Sequence, residues 1–154
     1  PETSEQQSTR LRGGKKMSLT YKQANDDILK MITNAWAVTG NKIYFESVQD
    51  DRQTDTLPFC KVWIRHANSN QRTLGGQGAR LFERRGFVRI EVYSRITNGL
   101  QESYQLAKVA SDAYEGRSSD NGVWFRRVRI SEMGKDGIFN RVDVIVDFEY
   151  HEMK

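Results

Sequence analysis

Hydrophobic and polar positions alternate most regularly between Val142 and Tyr150. Val142, Val144, Val146, Phe148 and Tyr150 interleave with Asp143, Ile145, Asp147 and Glu149. Side chains of a strand point to opposite faces in turn, so this pattern sets an apolar row against a core and a mostly acidic row outside. Upstream, Trp124, Val128 and Ile130 share one parity, and Phe125, Arg127 and Arg129 share the other. Gly134-Lys135-Asp136-Gly137 supplies residues that tolerate positive φ between the two runs. The stretch Asn121–Tyr150 therefore reads as a long β-hairpin at the centre or edge of the main sheet. Arg127 and Arg129 are expected across from the acidic row, in pairs worth about 0.2–1 kcal/mol each.

The same reading extends to the rest of the chain. Ala24, Ile28, Ile32 and Ala35 recur at helical spacing and predict a first helix over Thr20–Val38, with Trp36 as a core anchor. Thr20 or Ser18 starts it, and Gly40 ends it. Lys42–Val48 is a short strand, followed by a polar loop over Gln49–Thr56. Phe59–His66 is a second strand, with Cys60, Val62 and Ile64 inward. Ala67–Arg80, with three glycines, reads as a long hairpin loop, and Leu81–Arg95 resumes as strand with a solvated outer row. Asn98–Glu115 is the second helix, capped by Asn98 with Gln101. Its inward stripe is Leu100, Tyr104, Ala107, Ala110 or Ser111, and Tyr114. The order helix, strand, strand, loop, strand, helix, hairpin predicts an α+β fold. It implies a mostly antiparallel sheet of about five strands with both helices on one face.

Residues 1–16 hold one apolar side chain, Leu11, and are expected to be a flexible arm, an upstream extension or a remnant of expression. The single domain then spans 17–154. The formal charge of +4 comes from 24 basic residues against 20 acidic ones, with no long basic run, so charge alone does not select a nucleic-acid partner. Cys60 is the only cysteine, which excludes an intrachain disulfide and a cysteine metal cage.

The inventory for chemistry is thin. His66 and His151 have no metal-ligand spacing, Gly76-Gln77-Gly78 lacks the third glycine of a dinucleotide fingerprint, and no Gly-Lys-Ser/Thr loop exists. The carboxylates Asp143, Asp147 and Glu149 share a strand face where Mg²⁺ could bind, but neighbouring arginines explain them as charge pairs. No catalytic, metal or cofactor-binding residue is expected, and no enzyme. Arg84, Arg85, Arg89, Arg126, Arg127 and Arg129 beside Phe87, Trp124 and Phe125 form the pattern of a small nucleic-acid-binding module. Strict alternation would nevertheless send Arg126 and Arg127 to opposite faces.

The runs Ala113–Arg117, Val123–Gly134 and Val146–Tyr150 resemble tail-terminator-like proteins of long-tailed phages, most strongly over residues 98 to 150. The resemblance implies a virion structural protein, assembled in the host cytoplasm. It would form a homo-oligomeric, hexameric ring at the head-proximal end of the tail, where it stops growth of the tail tube. Its partners would be the tail tube protein and a head-completion or connector protein. Phage DNA would pass through the lumen without sequence-specific binding, and no membrane is involved. A head–tail connector or stopper is the neighbouring alternative. Candidate interface residues are Arg126, Arg127, Arg129, Asp143, Asp147 and Glu149. The candidate docking loop carries Asn68, Arg72, Gly75, Gly76, Gly78 and Arg80.

Overall fold

The computed structural model describes residues 18–46 and 57–154; the expected arm and the expected polar loop lie outside these residues. Helix α1 (Tyr21–Ala37) begins at Thr20, whose hydroxyl accepts from the Gln23 amide while the Gln23 side chain accepts from the Thr20 amide. That reciprocal pair satisfies two otherwise orphaned donors of the first turn. Strand β1 (Lys42–Phe45) is short, and Ser47 and Val48 of the expected strand lie outside the described residues. Then follow β2 (Phe59–Gln71), β3 (Leu81–Arg95), a single 3-10 turn (Ile96–Asn98), α2 (Gly99–Asp112), β4 (Trp124–Asp136) and β5 (Phe139–Met153).

The five strands form one sheet in the order β1-β2-β3-β5-β4. Only β1 and β2 run parallel; the other pairings are antiparallel. The fold is thus α+β, as the pattern predicts. Even-numbered residues of β3 and β5 meet both helices in one core. Ala24, Ile28, Ile32 and Trp36 of α1 and Leu106, Ala107 and Ala110 of α2 close over Val88, Ile90, Val92, Val142, Val144, Val146 and Phe148. Each large apolar side chain enclosed there contributes about 1.5–3 kcal/mol. Two polar groups of the large buried rings in this layer are paired: Trp36 Nε1 donates to the Lys42 carbonyl at 3.0 Å, and the Tyr114 hydroxyl to the Ile28 carbonyl at 2.7 Å. Trp36 is the expected core anchor, and burial holds the Cys60 thiol in its neutral, unreactive form by raising its pKa.

Five local expectations are corrected. The loop after His66 is shorter than expected, because β2 runs on to Gln71. A bulge at Ala67 shifts the register, and the polar run Asn68–Gln71 pairs with Phe82–Arg85. The hairpin turn is Gly137-Ile138 rather than Gly134–Gly137, with Gly134 (φ 81°) taken into a bulge of β4. Asn98 does not cap α2: its backbone is already helical (φ −90°, ψ −4°), and its side chain makes no capping bond. The inward stripe of α2 is rotated, leaving Leu100 and Tyr104 exposed. Ser103 takes the inward position because its hydroxyl pairs with that of buried Ser94, which removes the penalty for enclosing it.

The fifth correction decides the layout of the edge strand. Strict alternation puts Trp124 with Val128 and Ile130. A bulge at Arg126 instead resets the phase, so Phe125 opposes Phe148 on the helix side while Trp124 opposes Glu149 on the other. Phe125 packs against Tyr114 with ring centroids 4.6 Å apart. One extra residue in a strand re-aims every side chain before it.

Candidate interaction face

Both helices cover one side of the sheet, and among the described residues the other side carries no covering layer. Its side chains form rows across the strands that follow from the register. From the hairpin-turn end these are Phe59–Tyr93–Arg141, then Lys61–Glu91–Asp143–Ser131, then Trp63–Arg89–Ile145–Arg129. Beyond them come Arg65–Phe87–Asp147–Arg127, Asn68–Arg85–Glu149–Trp124, and Asn70–Glu83–His151. With Arg126 reaching Glu149 at 3.5 Å, these rows hold eight cations and five carboxylates.

The expected solvated, acidic outer row is not what forms. Asp143 is fully buried, and Glu83, Glu91 and Glu149 are almost so, while Arg85, Arg126 and Arg129 are exposed. Carboxylates are short and lie on the sheet floor; guanidiniums reach over them on long stems. Arg141 binds both oxygens of Asp143, at 2.9 and 3.0 Å, and reaches Glu91 at 2.7 Å. Arg89 approaches Asp143 at 3.7 Å, and Arg129 pairs with Asp147 at 3.3 Å. Glu83 is held by Arg72 and Arg85 together. Burial pushes its pKa up, but the hydrogen bonds from Arg72 and Arg85 outweigh that, and the carboxyl sits below its ordinary value.

Aromatic rings lie between the charges. Phe59, Tyr93 and Phe139 form a small apolar cluster on this side. Trp63 lies beneath Lys61 and Arg65, whose charged atoms are 4.9 and 5.3 Å from its centroid, within cation–π range. Trp124 meets His151 edge-on at 5.1 Å. Phe87 separates two depressions. One, of about 580 Å³, is lined by Arg72, Arg85, Arg126, Asp147 and Glu149 among others. The other, of about 290 Å³, is lined by Trp63, Arg65, Arg89 and Glu91.

Of the six arginines singled out in the sequence, Arg85, Arg89, Arg126, Arg127 and Arg129 come together here. Arg84 does not: it faces the helix side, buried against Glu152 at 3.2 Å and the Ser69 hydroxyl. The bulge is what puts Arg126 beside Arg127, against the alternation. Glu83, Arg141 and His151 were not visible as members of this face, and Arg72 was read as part of the docking loop. Their partners lie across strands, and only the β3–β5 register brings Glu83 level with His151. The two histidines stand on opposite sides, since His66 bonds Tyr150 at 2.7 Å within the helix-side layer.

Glu83, Glu149 and His151 offer three potential ligand atoms within 4.8 Å of one another. Guanidiniums of Arg72, Arg85 and Arg126 already neutralise both carboxylates, so a divalent cation would have to displace or oppose them. The glycine-rich segment is likewise closed on itself. The Arg72 amide donates to the Leu81 carbonyl at 2.7 Å, the Arg80 Nε to the Gly75 carbonyl at 2.9 Å, and Arg80 pairs with Lys154 through both backbone groups. Gly78 takes φ 87°, and Leu74 of the same segment is 99% exposed. Asn68 belongs to β2 rather than to this loop.

No protein-family model matches the chain, and no curated protein matches it in sequence. Solved structures do share its fold. One chain, from the virion of a native gene transfer agent particle, has a TM-score of 0.60 at 14% identity, covering 86% of this chain and 99% of that chain. Another, which carries no functional description, has a TM-score of 0.61 at 12% identity, covering 86% of this chain and 96% of that chain. The fold defines an α+β protein with one mixed sheet, two helices on one face and a charged face open. Among the described residues no helix is long and apolar enough to cross a membrane.

Proposed function

We propose that the chain is a virion structural protein of a phage-like particle, acting as a tail terminator without enzymatic activity. The observation that carries this reading is the shared fold with a chain of a gene transfer agent virion, over nearly the whole of that chain. The sequence resemblance over residues 98 to 150 points the same way. In this reading the protein forms a hexameric ring at the head-proximal end of the tail. It contacts the tail tube on one side and a head-completion or connector protein on the other.

A ring needs a head-to-tail interface built from two different patches. The β4 edge supplies one candidate. Ile130 is 51% exposed on the helix side, two residues from Glu132, whose carboxylate accepts from the exposed Tyr104 hydroxyl at 2.5 Å; Leu100 is one helical turn from Tyr104. Arg126, Arg127, Arg129 and Asp147 flank that edge on the other side; Asp143 lies too deep to touch a neighbour. The loop 72–80, with Arg72, Gly75, Gly76, Gly78, Arg80 and the exposed Leu74, is the candidate for the second patch or for docking on the tube.

Native mass spectrometry over a concentration series, with negative-stain imaging, tests the reading. A six-subunit ring that Ile130→Glu and Tyr104→Glu disperse, with far-UV circular dichroism unchanged, is the expected result. A monomer at every concentration that also fails to co-sediment with tail tubes would overturn it.

A further inference from the structure

We infer that the open face of the sheet binds the sugar–phosphate backbone of nucleic acid, without reading bases. The inference stands on charge and geometry alone and does not need the ring.

The charges of this face are layered. Formally the rows carry eight cations against five carboxylates, an excess of three. What an approaching ligand meets is more one-sided, although Asp147, its side chain 38% exposed beside Arg129, does reach the surface. Glu83 is 1% exposed beneath side chains of Arg72 and Arg85 that are 55% and 50% exposed, and Asp143 is 0% exposed beneath Arg89 at 40%. Each guanidinium has five donors, and a carboxylate below it occupies one or two. The rest point outward, held in place by the bond underneath. An anchored guanidinium loses less freedom on meeting a phosphate than a free one would.

Two further features fit this occupant. Arg127 stands in the row with Arg65, Phe87 and Asp147 and has no partner of its own among the described residues. The two depressions either side of Phe87 give the face relief, so a backbone can seat rather than glide over a flat surface. A protein partner offering an acidic patch would satisfy the charge as well; in that case neither the labelled duplex nor the single strand binds in the test below, and the inference fails.

The test uses fluorescence anisotropy with a labelled random-sequence duplex of about 25 base pairs, and with a single strand of the same length, at salt concentrations from about 50 to 300 mM. The triple variant Arg126→Gln, Arg127→Gln, Arg129→Gln removes three guanidiniums from the rim and leaves Glu83 and Asp143 compensated. A charge-matched control, Lys22→Gln, Lys30→Gln, Lys108→Gln, removes three cations from the helices. The expected result is binding in the roughly micromolar to 0.1 mM range typical of non-specific association. The log–log salt slope of the rim variant should be shallower by about 0.9 for each phosphate it no longer neutralises. The rim variant should bind at least tenfold more weakly, the control within twofold of the parent. Equal weakening in both variants, or binding insensitive to salt, would overturn the inference. Native mass spectrometry of the same samples separates it from assembly. If the rim variant loses binding only together with oligomerisation, those arginines join subunits to one another and the inference fails.

Discussion

Arg141 lies over Asp143, two residues further along β5, with both carboxylate oxygens engaged at 2.9 and 3.0 Å. The pair explains how a fully buried aspartate is tolerated on a sheet face that no helix covers. Removing the guanidinium would leave Asp143 with the more distant Arg89 at 3.7 Å and take from Glu91 its 2.7 Å partner. Arg141→Ala is therefore expected to cost about 3 kcal/mol in urea unfolding. Replacing the pair together, Arg141→Met with Asp143→Leu, should cost less than the single change, because the fully buried aspartate leaves with its partner and only Glu91 and the half-exposed Arg89 lose theirs.

The bulge at Arg126 makes a prediction about deletion. Removing Arg126 alone leaves Phe125 opposite Phe148 and Trp124 opposite Glu149, now in regular alternation. Stability should fall by no more than about 1 kcal/mol, a typical single-site cost. Deleting Arg129 from the regular part of the ladder would throw Phe125 and Val128 onto the charged face. A loss of about 3 kcal/mol or more is expected there, the scale of an unburied phenylalanine. Paired urea midpoints decide the matter.

Gly86 sits where β2 bulges and β3 passes closest. A Cβ there would stand 2.7 Å from Phe148 Cζ and 2.9 Å from His66 Cα, and would overlap the Arg65 carbonyl oxygen. Two of these atoms are backbone and cannot yield. Gly86→Ala should lower stability by about 1–3 kcal/mol through overpacking, seen as a lower melting temperature.

His66 sets an acid limit. Burial disfavours its charged form, the positive charge of Arg84 adds to that, and its pKa falls below the usual 6.5. The unfolded chain then binds the proton more readily than the folded one. Stability from this group is complete above about pH 6.5 and declines as the pH drops through that value and below. Urea midpoints between about pH 7.5 and pH 5 should fall in the parent and flatten in His66→Gln. Glu83, whose pKa is also lowered, acts only below about 4.5 and leaves that window clear.

How much of this was legible in the sequence depended on whether the determinant was local. The stripe Ala24, Ile28, Ile32 and the alternation of Val142–Tyr150 are local, and both elements formed with the apolar rows inward as read. The Thr20–Gln23 box also needs only four neighbouring residues. Asn98 with Gln101 has the same spacing yet fails, because the preceding 3-10 turn has already placed Asn98 in helical geometry. The polar run Asn68–Gln71 carries no apolar period, so its pairing with Phe82–Arg85 had no signature. The candidate face depended on cross-strand register and on two bulges. A bulge leaves no mark in composition, and without it the arginines of β4 divide between the faces.

The strand order has a consequence for synthesis. β5 lies between β3 and β4, so β3 has no inner neighbour until β5 has been made. More than forty residues separate the end of β3 from the start of β5, several seconds of translation at roughly 5–20 residues per second. During that interval the inner edge of β3 has no strand to pair with. Because β4 touches the sheet only through β5, the two strands add to β3 as one hairpin rather than one after the other.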